Sequence, residues 1–518
     1  MDFFGTSLDN TRQFFTAILY LNFTGYLSVE RPSVEDYFGD WKAREALAQE
    51  MLPIIGKLEN EKGVHIFLYG RTLNNRSVAN IMKSHRRVRE VARNELSEFE
   101  SNPVLKSLAK LDLCPAQIDL GKLTVKYMEA MEKNADVDLD ALVAEELAHL
   151  VGVNYKPIDK PTDVILYGFG RIGRLVTRLL LDQTGNGELM RLRAIVVRKA
   201  GEGDLEKRVN LLRKDSVHGS FSGTVRVDEE NNRIIANGNI VQIIYADSPD
   251  SIDYAQYGIE DALVIDNTGK WRDEEGLGLH LKSKGVSKVM LTAPGKGDLK
   301  NIVMGINDDT IEPGDKIISA ASCTTNAIAP VLKLIHDKYG IVHGHVETVH
   351  AYTNDQNLID NFHKADRRGR SAPLNMVLTE TGAAKAVSKA VPELEGKLTG
   401  NAVRVPVANV SVAILNLTLL TKSSADEINE YLREIALHSP LQNQIGYTES
   451  PDAVSSDFIG SREACTVDAT ATKVNGKNMI LYLWYDNEFG YSAQVVRMVN
   501  RMAGVKFLTY PEKDSMAN

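Results

Sequence analysis

The sequence predicts an α/β protein in which a doubly wound sheet is followed by an α+β domain and preceded by a mostly helical one. Three observations carry this reading. A strand-like run, Asp163-Val164-Ile165-Leu166-Tyr167, leads directly into the turn Gly168-Phe169-Gly170-Arg171-Ile172-Gly173 and an apolar helical stretch over residues 175–181. Strand-like runs at 192–197, 262–265, 288–291 and 316–320 then alternate with helical stretches, the order of a doubly wound sheet. Before residue 160, apolar residues recur at three- and four-residue spacing, as in Ala46, Leu47, Met51, Leu52, Ile55 and Leu58.

Composition narrows the class. The 518 residues, 43% hydrophobic and 25% charged, suit a soluble chain of several domains, each able to bury a core. A net charge of -9 argues against nucleic acid or an anionic membrane as the main partner, since both select basic surfaces. Cys114, Cys323 and Cys465 stand too far apart for a CxxC metal site or a disulfide framework, which points to no metal and to a reducing cytoplasm. The apolar stretch 14–26 is broken by Asn22 and Thr24 and is too short to span a bilayer. Asp2 and Asp9 stand where a secretion signal carries basic residues.

In the first 160 residues the pattern turns helical from about Glu35 and again over 142–150, with a short strand expected at 64–69 and one helix over 77–99. Asn102-Pro103 and Cys114-Pro115 read as breaks, because proline disfavours a helical residue before it. Lys83, Arg86, Arg87, Arg89 and Arg93 concentrate positive charge on the 77–99 helix. Two readings are open: a contact for an acidic partner, or a solvated face balanced by Glu90, Glu95 and Glu98. Residues 153–162, with Pro157 and Pro161, read as a linker.

The turn at Gly168 has the residues of a Rossmann-type dinucleotide site. Gly168 permits the tight turn, Gly170 lets the backbone approach a pyrophosphate, and Gly173 lets helix and strand pack closely. An acid at the end of the second strand would bond the ribose 2′-hydroxyl of NAD. Arg198, followed by Lys199, stands there instead and suits a 2′-phosphate, so NADP use is expected, alone or beside NAD.

Cys323 lies where the run 316–320 ends and a helical pattern, 327–339, begins. Unpaired N–H groups and the positive end of the macrodipole favour thiolate there. Position alone leaves two fates open, nucleophile or small buried apolar residue. His350 follows the strand-like run 342–349 and could serve as the base for a thiol or as a satisfied structural residue. A strand over 410–421, a capping box of Ser424 and Glu427, a hairpin at Asn475-Gly476 and an amphipathic helix over 490–502 complete the α+β part.

Five motifs occur in order: Ser322-Cys323-Thr324-Thr325-Asn326, His350-Ala351-Tyr352-Thr353-Asn354-Asp355-Gln356, Thr381-Gly382-Ala383-Ala384-Lys385-Ala386-Val387, Arg404-Val405-Pro406 and Trp484-Tyr485-Asp486-Asn487-Glu488. With the Gly168 turn, Asp215-Ser216-Val217-His218-Gly219 and Asn267-Thr268-Gly269, they resemble the phosphorylating glyceraldehyde-3-phosphate dehydrogenase family, here with an N-terminal helical extension. The resemblance runs from about residue 162 to 504. It implies a helix-rich extension over 1–160, an NAD(P)-binding Rossmann domain over 161–322 to which a C-terminal helix, 488–504, returns, a catalytic domain over 323–487 and a tail over 505–518.

The same resemblance implies the chemistry. Cys323 would attack D-glyceraldehyde 3-phosphate, His350 would handle the proton, and inorganic phosphate would release 1,3-bisphosphoglycerate from a cysteine thioester. NADP, NAD or both would be held by Gly168, Phe169, Gly170, Arg171, Ile172, Gly173, Arg198, Thr268, Gly269, Thr292 and Asn487, the last as the family's residue for the nicotinamide carboxamide. Ser322, Thr324, Thr381 and Gly382 would make one anion site, with Thr353 and Arg404 making the other. A homotetramer is implied as well. Two departures stand out: Asn361-Phe362 replaces a Leu-Pro pair common in NAD-specific members, and Ala327 replaces a second cysteine near the nucleophile. Alternatives are an erythrose-4-phosphate dehydrogenase, which hydrolyses its thioester, and a core whose N-terminal domain is regulatory or binds a partner.

Overall fold

The computed structural model describes residues 31–33, 35–183 and 187–512. The stretch 14–26 and the end of the expected tail, residues 513–518, lie outside the described residues. The chain divides into two units: residues 1–159 with 437–440 and 506–518, and residues 160–436 with 441–505.

In the first unit the helices Tyr37–Lys62, Val78–Ala92, Glu98–Ala109, Leu120–Lys133 and Leu139–Glu146 accompany a four-stranded sheet. Its order is Arg71–Thr72, His65–Leu68, Ala116–Asp119, Leu508–Tyr510, with only the first pair antiparallel. The unit is mostly helical, as expected, with a small sheet of short strands beside its helices. The helix expected over 77–99 is two helices, because Arg93 turns left-handed at φ 53° and Ser97 opens a new helix through a capping box with Glu100. Asn102-Pro103 does not break that second helix. Proline in a helix interior costs about 3 kcal/mol, which full burial of Val104, Leu105 and Leu108, at about 1.5 to 3 kcal/mol each, outweighs. The tail expected over 505–518 supplies a strand at Leu508–Tyr510, anchored by the buried Tyr510, whose hydroxyl donates to Glu146 at 3.0 Å. On the basic helix, Arg86 pairs with Glu90 at 2.8 Å in the open, while half-buried Arg89 donates to the Leu96 carbonyl and Glu98 is buried and pairs with Arg44.

In the second unit an eight-stranded sheet runs Ile317–Ser319, Val286–Leu291, Ala262–Asp266, Thr162–Tyr167, Met190–Val197, Asn239–Tyr245, Arg233–Ala236, Val225–Asp228. All pairs are parallel except those made by the last two strands. Strands covered on both faces must be apolar throughout, and residues 164–166 are fully buried. The chain leaves Thr162–Tyr167 toward one side of the sheet and later returns to the other, so the order reverses there.

The second sheet is mainly antiparallel and contains Ile341–Ala351 beside Leu398–Val405, with His350 in register with Arg404. Its hairpin closes at Asn475 opposite Asn478, where Gly476 takes the left-handed φ of 63° that the turn requires. The expected capping box at Ser424 is only half formed. Ser424 Oγ accepts from Glu427 N, but the Glu427 carboxylate takes its proton donor from Ser423 Oγ. The helix Phe489–Ala503 places Val495, Val496, Met498 and Val499 in the core of the first sheet.

Candidate active site

Cys323 is the first residue of the helix Cys323–Tyr339, and its position is enforced from both sides. Ser322 is the N-cap, with Oγ accepting from Thr325 N at 3.0 Å. Just before it, buried Ala321 adopts φ 53°, a left-handed conformation that costs a non-glycine residue about 1 to 3 kcal/mol. Tyr491 pins Ala321 by donating its hydroxyl to the Ala321 carbonyl at 3.0 Å, and the Asn326 amide ties down Ala320 and Ser322.

The Sγ atom of Cys323 lies 3.6 Å from Nε2 of His350. His350 Nδ1 is 2.7 Å from the Ala351 carbonyl, an acceptor only, so Nδ1 carries the proton and Nε2 turns a lone pair to the sulfur. Arg404 Nη1 stands 3.1 Å from the same Nδ1 and donates to the Ala351 carbonyl at 3.0 Å. Burial, and then the Arg404 charge, push His350 down to about 3, so the imidazole is neutral. Burial pushes the Cys323 thiol up, against the pull of Arg404 and the Thr324 hydroxyl. The helix terminus favours thiolate, as the sequence suggests, but desolvation outweighs it and the resting pair is thiol and neutral imidazole.

Tyr485 ties the site together. Its buried hydroxyl is 3.0 Å from Thr324 Oγ1 and 2.7 Å from Thr348 Oγ1, and its ring meets His350 edge-on at 6.0 Å. Arg404 Nη1 also reaches Thr353 Oγ1 at 3.4 Å, while its buried Nε meets no acceptor among the described residues. Arg368, which sequence reasoning missed, is held by Thr379 Oγ1 and Asp355, and its charge acts on both His350 and Arg404. The structure thus joins Cys323, His350, Arg404, Thr353 and Thr324. Ser322 spends its hydroxyl on the helix cap, and Thr381 and Gly382 stand at the start of the helix Ala383–Ala390 with no hydrogen bond to Cys323, His350 or Arg404 among the described residues.

The glycine turn fits a dinucleotide. Gly168 has φ 98°, and a Cβ there would meet Thr268 at 3.0 Å, which brings residues 168 and 267–269 together. A Cβ on Gly173 would strike the Gly168 carbonyl oxygen at 2.5 Å, whereas one on Gly170 would enter open space, the cradle a pyrophosphate needs. Thr268 donates through N and Oγ1 to Asp266, whose other oxygen is held by fully buried His280 at 3.0 Å. Thr292 donates to the Asp266 carbonyl, and Gly269 turns left-handed beside Thr268. Arg198 is exposed at the end of its strand. The Arg171 side chain pairs with Asp215 and Glu488 and leaves its backbone to the turn. Asn487 is buried, with Oδ1 accepting from Ser411 Oγ at 2.8 Å, so Nδ2 is its outward donor.

A curated relative from Pseudomonas aeruginosa, a glyceraldehyde-3-phosphate dehydrogenase-like protein, is 59% identical over 463 residues, which is 89% of this chain and all of the relative. The chain belongs to the glyceraldehyde-3-phosphate dehydrogenase family. The family's NAD binding domain matches residues 162–274 and its C-terminal domain residues 322–487. The chloroplastic glyceraldehyde-3-phosphate dehydrogenase A of Zea mays is 40% identical over 375 residues, 71% of this chain and 90% of its own. The Streptococcus pyogenes enzyme is 40% identical over 344 residues, 65% of this chain and 97% of its own. The family domains make the chain an NAD(P)-binding oxidoreductase. Residues 1–160 lie outside both matched domains. No helix among the described residues is long and apolar enough to cross a membrane.

Proposed function

We propose that the protein is a phosphorylating glyceraldehyde-3-phosphate dehydrogenase. The observation that carries this is the neutral Cys323–His350 pair at 3.6 Å with Arg404 behind the imidazole. As Sγ attacks the aldehyde carbon of D-glyceraldehyde 3-phosphate, Nε2 takes the thiol proton and returns it to the developing alkoxide, giving a hemithioacetal on Cys323. His350 Nε2 then accepts the hydroxyl proton as the carbonyl re-forms. The bound nicotinamide supplies the hydride acceptor for this step. The result is a thioester on Cys323, from which inorganic phosphate expels the thiolate to release 1,3-bisphosphoglycerate.

Arg404 and Thr353, backed by Arg368, offer one anion a charged, forked set of donors, and the free Nε of Arg404 adds to it. Thr324, Thr381 and the N–H of Gly382 supply the neutral donors for the other. For the cofactor, exposed Arg198 and Lys199 favour NADP alongside NAD. Exposed Leu358, Ile359, Phe362, Leu374 and Met376 support assembly with further copies of the chain, a homotetramer in the cytoplasm, where the free cysteines stay reduced.

Purified protein should reduce NAD or NADP only with aldehyde and inorganic phosphate both present, and Cys323→Ser should abolish this. Turnover without phosphate, with erythrose 4-phosphate preferred, would select the hydrolysing alternative instead. Arg198→Asp should shift the ratio of specificity constants toward NAD by about tenfold, the size of one lost charge contact to phosphate.

A further inference from the structure

Asp486, the residue before Asn487, is a fully buried carboxylate on which separate segments converge. Its Oδ1 accepts from the N–H groups of Glu488, the N-cap residue, and of Phe489 at 3.0 and 2.8 Å, which ties down the entry to the helix Phe489–Ala503. That turn uses only one of its oxygens. The other, Oδ2, accepts from His218 Nε2 at 3.1 Å and from Gly460 N at 2.8 Å. The Asn409 amide Nδ2 lies 3.3 Å from His218 Nε2.

His218 belongs to the cofactor-binding part of the chain and is itself held. Arg171 Nη2 donates to its Nδ1 at 3.1 Å, which leaves Nε2–H for Asp486, and its ring stacks on Phe489 with centroids 5.5 Å apart. Asn409 and Ser411 flank Val410, a buried β-branched residue at φ 67°. Such a backbone persists only where its surroundings over-determine it. Here Ser411 holds Asn487, and Asn409 stands against the His218 ring that bonds Asp486.

We propose that His218, assisted by Asn409, is a positioning residue for hydride transfer: through Asp486 it fixes Asn487 so that Nδ2 meets the nicotinamide carboxamide and one ring face is offered to Cys323. The proposal rests on the dehydrogenase reading above. A carboxamide that is not held lets the ring turn over, so the signature is loss of facial selectivity together with weaker cofactor binding.

The test uses the full chain and three variants, His218→Leu, His218→Gln and Asn409→Ala, with D-glyceraldehyde 3-phosphate deuterated at C1. Cofactor KM, kcat and the face of C4 that receives deuterium, read by NMR, are measured. Wild type should label one face. His218→Leu should raise cofactor KM by about tenfold, the worth of one hydrogen bond to a charge, and should label both faces. His218→Gln, which keeps a donor, should restore both readouts, and Asn409→Ala should fall between. Single-face labelling with unchanged KM in His218→Leu and Asn409→Ala would overturn the proposal. If His218→Leu does not fold, Asn409→Ala decides alone. If wild type shows no aldehyde-dependent cofactor reduction, the dehydrogenase reading fails, and cofactor affinities of the same variants, measured by fluorescence quenching, then decide whether His218 supports binding.

Discussion

Removing the Arg404 charge should make Cys323 a weaker acid by a calculable amount. The guanidinium and the sulfur stand on opposite sides of the His350 ring, 3.1 Å from Nδ1 and 3.6 Å from Nε2. With the width of the imidazole included, the charges are separated by on the order of 8 Å, which at an effective dielectric of about 20 corresponds to about 2 kcal/mol, or about 1.5 pKa units. Arg404→Met keeps the bulk of the side chain and deletes the charge. The pH midpoint for alkylation of Cys323 by iodoacetamide should therefore rise by about one unit or more. The KM for phosphate should rise by about tenfold or more in the same variant, through loss of charged hydrogen bonds. An alkylation midpoint that stays in place or falls would refute the assignment of Arg404 as the charge that tempers the thiol.

Three further outcomes follow from the same geometry. With its pKa pushed down to about 3, His350 remains a neutral base at every higher pH, so the pH–rate profile should show no acidic limb near 6.5; a limb there that vanishes in His350→Gln would contradict this. Gly170→Ala should leave the melting temperature near wild type while weakening cofactor binding, whereas Gly173→Ala, whose Cβ would lie 2.5 Å from the Gly168 carbonyl oxygen, should lower the melting temperature; calorimetry with and without NADP separates them. Tyr510→Ala should destabilise the N-terminal unit by about 3 kcal/mol in urea unfolding, the usual cost of truncating a buried aromatic; an unchanged midpoint would show that Leu508–Tyr510 contributes nothing to that sheet.

Legibility in the sequence followed the range of the interaction. The Gly168 turn, Cys323 at a helix start and His350 at a strand end each announce themselves within a few residues, because turn sterics and capping are local. Arg368 does not: its orientation depends on Thr379 and Asp355, and nothing in the run Arg367-Arg368-Gly369-Arg370 tells which arginine turns inward. Tyr485 reads as one more aromatic in a strand until Thr324 and Thr348 are brought to its hydroxyl. The strand Leu508–Tyr510 is too short to carry a pattern, and its partner, Ala116–Asp119, lies at the other end of the chain. The breaks expected at Asn102-Pro103 failed for the complementary reason, since local proline sterics were outweighed by burial that no local window reveals.

The resting thiol shows the same competition of ranges within the site. A helix start argues for thiolate, and sequence can see it; desolvation argues for thiol, and sequence cannot. Burial decides it by pushing the thiol up and the imidazole down, while the Arg404 charge opposes the first shift and adds to the second. These two effects depend on one charge and therefore change together. An anion that took up the Arg404 and Thr353 donors would cancel part of that field and make His350 a stronger base. With a neutral imidazole beside it and burial around it, Cys323 is held as a thiol, the less readily oxidised form, since thiolate is the reactive one.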